Sequence, residues 1–211
     1  VLLGVGRIRH QQLDALRGHD ATRLAGIPGV LEHGTLSSPV RWAGLVNELE
    51  GDPRIRQRFQ IWIFLYDTGN PIAYSAGRLR AALTATLQEL DPEGKDPALR
   101  RMVVIGHSQG GLLTKSTAID SGTRFWDRIS SKPFDAIEVN PETRALLKQS
   151  IFYTPLPFVE RVVFVATPHH GALLATGRVG VTAAWLVTLP VGLLAQLAQA
   201  ATMTGDEKLI A

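Results

Sequence analysis

The chain contains no cysteine, which excludes a disulfide framework and any thiolate metal site and leaves the redox compartment unread. Charge is sparse as well. Asp, Glu, Lys and Arg make up 19% of the 211 residues against 45% hydrophobic, so the chain folds around a core rather than staying disordered. No dense basic cluster accompanies the net charge of +3 and the pI near 9.5. The nearest approach, Arg54, Arg56 and Arg58, is flanked by Glu48 and Asp52 and reads as a solvated face, which argues against a nucleic-acid partner. The start lacks the charged region, apolar stretch and small-residue cleavage site of a signal peptide, and it is not Met, so a removed upstream piece is one expectation and localisation stays open. The length suits one α/β domain with a real core and is too short for two ordinary ones. No internal repeat is visible.

What the chain does have is alternation. Residues 1–28 form an irregular N-terminal segment, with a helix expected only near 11–16. A short apolar run at 29–32 ends in His33-Gly34 and reads as a strand, with Glu32 out of keeping in it. Pro39 can open a helix on which Trp42, Leu45, Val46 and Leu49 recur at helical spacing until Gly51 and Pro53. The continuous aromatic and branched run 59–66 suits a buried parallel strand. Leu79, Leu83, Leu87 and Leu90 then share a helical face up to Asp91-Pro92. Residues 102–105 give a third strand, 110–119 the following helix and 161–166 a fourth strand, while the polar, proline-bearing stretch 121–160 reads as an excursion at the rim of the sheet. The pattern predicts an α/β fold, a doubly wound, mostly parallel sheet with helices on both faces and its site at the carboxyl ends of the strands.

The third strand runs into Gly106-His107-Ser108-Gln109-Gly110-Gly111, the Gly-x-Ser-x-Gly form of a nucleophile elbow. A strand that stops at Gly106 and yields to a helix from Gly110 throws Ser108 out on a sharp turn, where flanking side chains would find no room. Serine is a poor nucleophile at its free pKa, so acyl transfer needs a base to take its proton and donors to hold the oxyanion. One donor is the backbone N–H of Gln109. The other is expected from the loop after an earlier strand, where His33-Gly34-Thr35 offers the N–H of Thr35; the competing reading of His33-Gly34 is an ordinary turn.

His33-Gly34, the Ser108 elbow and Thr167-Pro168-His169-His170-Gly171 stand in the order and spacing of lipases and esterases of the α/β-hydrolase superfamily. The last segment resembles the Thr-Pro-His-x-Gly stretch of bacterial lipases and of the GPI-inositol-deacylase-like group. Tyr66-Asp67-Thr68-Gly69 and the run 161–166 are similar to bacterial members of that set, and the likeness spans roughly residues 28–172. It implies an α/β-hydrolase fold and a serine ester hydrolase working through an acyl-enzyme on Ser108, with Thr35 and Gln109 as the oxyanion hole and no metal or organic cofactor. Glu32, in a strand usually apolar, and His170, where Arg is common, depart from that pattern.

In this superfamily the histidine follows the serine, and only His169 and His170 do so. They sit where the family places a structural histidine, so the expectation is a C-terminally incomplete chain lacking its catalytic acid and base. The rival reading takes His169 as a relocated base oriented by Asp127 or Asp135. Residues 179–205 carry no charge but are diluted by Thr182, Thr188, Gln196 and Gln199 and broken by Pro190, which favours two short lid helices over a membrane span or a plain core helix. The expected organisation is therefore an N-terminal segment 1–28, a core 29–178 and an apolar lid 179–205. Such a lid would set Trp185, Leu186, Leu189, Leu193 and Leu194 over the cleft, pointing to a hydrophobic ester or lipid substrate and to peripheral contact with a lipid interface. A non-catalytic binding module on the same fold, and an acyltransferase using the same serine, are the alternatives.

Overall fold

The computed structural model describes residues 26–35, 37, 39–169 and 205. Among the described residues four strands pair in parallel: β1 (Ile27–Glu32), β2 (Phe59–Phe64), β3 (Met102–His107) and β4 (Val159–Val165). Their order across the sheet is β2-β1-β3-β4. The chain thus steps from β1 to one side, returns across it to β3, and continues to β4. That reversal is a topological switch point at the carboxyl ends of β1 and β3, the place where open α/β sheets bind their ligands.

The helices follow from the connections. After a 3-10 turn at Pro39–Trp42 come α1 (Ala43–Gly51) and α2 (Pro53–Arg56). Helix α3 (Ile72–Leu90) links β2 to β3, and α4 (Gln109–Ser116) follows β3. Two more, α5 (Trp126–Ile129) and α6 (Pro141–Ile151), precede β4. Right-handed crossovers put α1 and α2 on one face of the sheet and α3, α4 and α6 on the other. On that second face α3 packs against both α4 and α6.

The main core lies under α3. Leu79, Leu83 and Leu87 recur every fourth residue and bury against Val30, Trp62, Phe64 and Val104 of the sheet. Each such side chain contributes roughly 1.5–3 kcal/mol by leaving water. The helix stops where the Asp91 carboxylate accepts the amides of Lys95 and Asp96 at 2.8 and 3.0 Å, closing a turn instead of another helical repeat.

Two local expectations differ from what is observed. Helix α1 buries none of its residues, with Leu45 39% exposed, so its apolar stripe is only lightly used and Trp42 just before it is the anchor on that side. The stretch 121–160 is more than a polar excursion. It carries α5, α6 and a small core of its own, in which Trp126, Ile137, Leu147 and Ile151 pack together, while Asn140 caps α6 by accepting the Thr143 amide at 2.7 Å. The helix expected near 11–16, His170 and the lid expected over 179–205, except Gly205, lie outside the described residues.

Candidate active site

Ser108 links β3 to α4 with φ 54° and ψ −121°, a left-handed backbone that costs a non-glycine residue of the order of 1–3 kcal/mol. Only Ala166 shares a positive φ with it among the described non-glycine residues. The turn is held by hydrogen bonds from the Ser108 amide to the Val165 carbonyl at 2.9 Å and from the Gly111 amide to the Ser108 carbonyl at 3.0 Å. Such strain persists only where the surrounding structure over-determines the turn.

Each neighbouring glycine answers to a particular contact. A Cβ on Gly106 would strike the Thr114 hydroxyl and the Gly110 backbone, and one on Gly110 would stand 2.5 Å from the Glu32 carbonyl oxygen. A Cβ on Gly34 would lie 2.8 Å from Ser108 Cβ, which puts the loop after β1 directly against the elbow. A side chain on Gly111 would collide with Thr167, which follows β4. The three motifs singled out in the sequence therefore meet in space.

The two proposed oxyanion donors are also brought together. The Thr35 hydroxyl donates to Gln109 Oε1 at 2.7 Å, and Gln109 Nε2 reaches the Thr68 carbonyl at 3.5 Å. One buried amide side chain thus joins the loops that follow β1, β2 and β3. As the first residue of α4, Gln109 has a backbone N–H with no acceptor within the helix.

Tyr66 supports the same loop from its far side. Its ring stacks on His33 at 4.7 Å between centroids, and its hydroxyl donates to the His33 carbonyl at 2.6 Å. Burial lowers the His33 imidazole from its usual range, opposed in part by contact with the Gly34 carbonyl at 3.2 Å. Burial also raises the Tyr66 phenol, and the nearby Glu32 adds to the rise, so the hydroxyl stays a donor. The glutamate that looked misplaced in β1 is wholly buried beside the elbow. Its Oε2 accepts from Thr114 Oγ1 at 2.9 Å, and burial pushes its carboxyl well above the usual carboxylate range.

The proposed base is placed less tightly. The His169 and Phe164 rings stand perpendicular with centroids 4.7 Å apart, and the His169 amide donates to the Thr167 carbonyl at 3.0 Å. Among the described residues no hydrogen bond joins His169 to Ser108. Asp127 accepts from the Thr123 hydroxyl at 2.8 Å, and Asp135 is fully exposed, 3.9 Å from Arg144. Among the described residues no group of three His, Asp or Glu could hold a metal ion, and no helix is long and apolar enough to cross a membrane.

Sequence reasoning named Ser108, Thr35 and Gln109, but not Tyr66 or Thr114 as their supports. Tyr66 was within reach, since it closes a strand-like run just before the Asp67-Thr68-Gly69 turn. The Glu32–Thr114 pair carried no signal beyond an acid in an apolar strand.

No protein-family model matches the chain, and no curated protein sequence does. Among solved structures it is similar to the Bacillus licheniformis lipase BlEst2 in its propeptide form, with a TM-score of 0.42 and 17% identity over 83% of this chain. It is also similar to an acetyl xylan esterase solved as an iodinated complex, with a TM-score of 0.40 and 15% identity over 71% of this chain and 67% of that one. The chain spans 32% of the length of the lipase. At such identities no residue's role transfers from either structure.

Proposed function

We propose that the chain is a serine ester hydrolase of the α/β-hydrolase type, with Ser108 as nucleophile. The observation that carries this reading is the strained Ser108 turn at the switch point, with Gly34 packed against it and the side chains of Thr35 and Gln109 hydrogen-bonded to each other beside it. In that arrangement Ser108 Oγ attacks the carbonyl carbon of an ester while a base takes its proton. The carbonyl oxygen becomes an oxyanion between the N–H groups of Thr35 and Gln109, which stabilise it where charge develops. Collapse of the intermediate returns the proton to the alcohol, which departs and leaves the acyl group on Ser108. Water then attacks by the same path and releases the acid.

Within this chain His169 is the candidate for that base. The uncharged stretch 179–205 supports a hydrophobic acyl group and contact with a lipid interface. The motif likeness to the GPI-inositol-deacylase-like lipases belongs to the same reading. It is tested with p-nitrophenyl esters of acetate and of a long-chain acid: hydrolysis abolished by Ser108→Ala supports it, and hydrolysis unchanged by that substitution refutes it. Ester consumption that yields a new ester when a second alcohol is supplied would make the chain an acyltransferase.

A further inference from the structure

Glu32 has no part in the chemistry above, yet it is the most completely buried acid among the described residues, with 0% exposure at the last position of β1. It lies in register with Phe64 of β2 and Gly106 of β3. Carboxyl groups are almost never buried without a cationic partner, and no salt bridge reaches this one among the described residues. Its neighbours are instead Thr114, whose hydroxyl donates to Oε2 at 2.9 Å, and Tyr66, whose hydroxyl is engaged by the His33 carbonyl. Oε1 has no hydrogen-bond partner among the described residues. Glycine at 106 leaves the space in which the Thr114 hydroxyl stands, and glycine at 110 lets α4 settle on the Glu32 carbonyl. The backbone around this acid is shaped to bring it and α4 together.

The position of that pair matters. Three residues beyond Glu32 the chain presents Thr35, and five residues before Thr114 it presents Gln109. A hydrogen bond toward the core, Glu32 to Thr114, and one toward the switch point, Thr35 to Gln109, therefore bracket the gap in which the oxyanion would lie. We propose that Glu32 is a positioning residue which, through Thr114, fixes the spacing between the loop carrying the Thr35 amide and the helix start carrying the Gln109 amide. This rests on the reading of Ser108 as nucleophile. The carboxyl acts in its neutral form, because an uncompensated negative charge there would oppose the charge that develops on the substrate oxygen.

The test is the rate at which the full chain reacts with a fluorophosphonate at Ser108, resolved into a saturation constant and a limiting rate, with thermal unfolding measured alongside. Glu32→Gln, neutral and able to accept from Thr114, is expected to react within about twofold of wild type at neutral pH. Glu32→Leu and Thr114→Val are expected to unfold cooperatively yet to lose roughly ten- to a hundredfold in limiting rate, with little change in the saturation constant, as misplaced donors would cause. If Glu32→Leu does not fold, Thr114→Val decides. Folded variants that react at the wild-type rate would overturn the inference and leave the Ser108 reading intact, and so would a Glu32→Gln variant as slow as Thr114→Val. An unreactive wild type would sink both together.

Discussion

The hydroxyl of Thr35 donates to the side-chain oxygen of Gln109 at 2.7 Å, tying the loop after β1 to the residue that follows the nucleophile. The two backbone amides on which the reading depends belong to these two residues. On the proposed reading, this side-chain bond helps to hold the spacing of the two donors.

Thr35→Val keeps the backbone amide and nearly the same shape but removes the hydroxyl. A hydrogen bond of this kind is worth about 0.5–1.5 kcal/mol, so ester hydrolysis is expected to slow by roughly two- to tenfold in kcat. Thr35→Ser retains the donor and should recover most of the rate. Steady-state kinetics on one ester for the three proteins checks this; equal rates would show that the tie does not position the donors.

Ser108 holds a backbone that glycine adopts freely. Ser108→Gly is therefore expected to be more stable than wild type by about 1 kcal/mol, while Ser108→Ala, with the same strain, is not. Denaturant midpoints of the three proteins at a single pH measure the difference. Equal stability of the glycine and alanine variants would mean that the turn is not strained.

Gly34→Ala places a methyl group 2.8 Å from Ser108 Cβ and 3.2 Å from the His107 carbonyl oxygen. The loop must retreat, at a cost of about 1–3 kcal/mol, and it takes the Thr35 amide with it. Activity should fall well beyond what the loss of folded protein explains, and circular dichroism with kinetics on the same sample separates the two effects.

The buried Glu32 makes stability depend on pH in a defined direction. Its folded carboxyl is raised, chiefly by burial and against the pull of the Thr114 hydrogen bonds, whereas the unfolded chain releases that proton near pH ~4.3. Above that pH the native state binds more protons than the unfolded one, so stability falls as pH rises toward the folded value, by up to ~1.4 kcal/mol per pH unit. Glu32→Gln lacks this loss. Its advantage over wild type should grow as pH rises above the unfolded value, as followed by urea unfolding, and a difference independent of pH would show that Glu32 ionises normally.

The sequence made legible whatever local rules govern. Ser108 could be read because a β-branched run, two glycines and a helix-compatible stretch are contiguous. Leu79, Leu83 and Leu87 could be read because one helix face repeats. Gln109 followed from Ser108, and Thr35 from the logic of a loop beside it. Relations between distant positions were not legible: Glu32 and Thr114 are separated by 82 positions, and the neighbourhood of β1 and β3 depends on a strand order that no local pattern encodes. The core around Trp126, Ile137, Leu147 and Ile151 was missed because its members are spread over short turns among polar residues, where neither helical nor strand periodicity builds up. Helix α1 shows the converse, an apolar spacing that packs little.

The central claim is that Ser108 is an activated nucleophile. The most direct measurement is the intact mass of the full chain after exposure to a fluorophosphonate, with Ser108→Ala treated in parallel. The account predicts one phosphonyl group per chain, mapped to Ser108 and absent from the alanine variant. A folded chain that gains no mass, or gains it equally in Ser108→Ala, would contradict it.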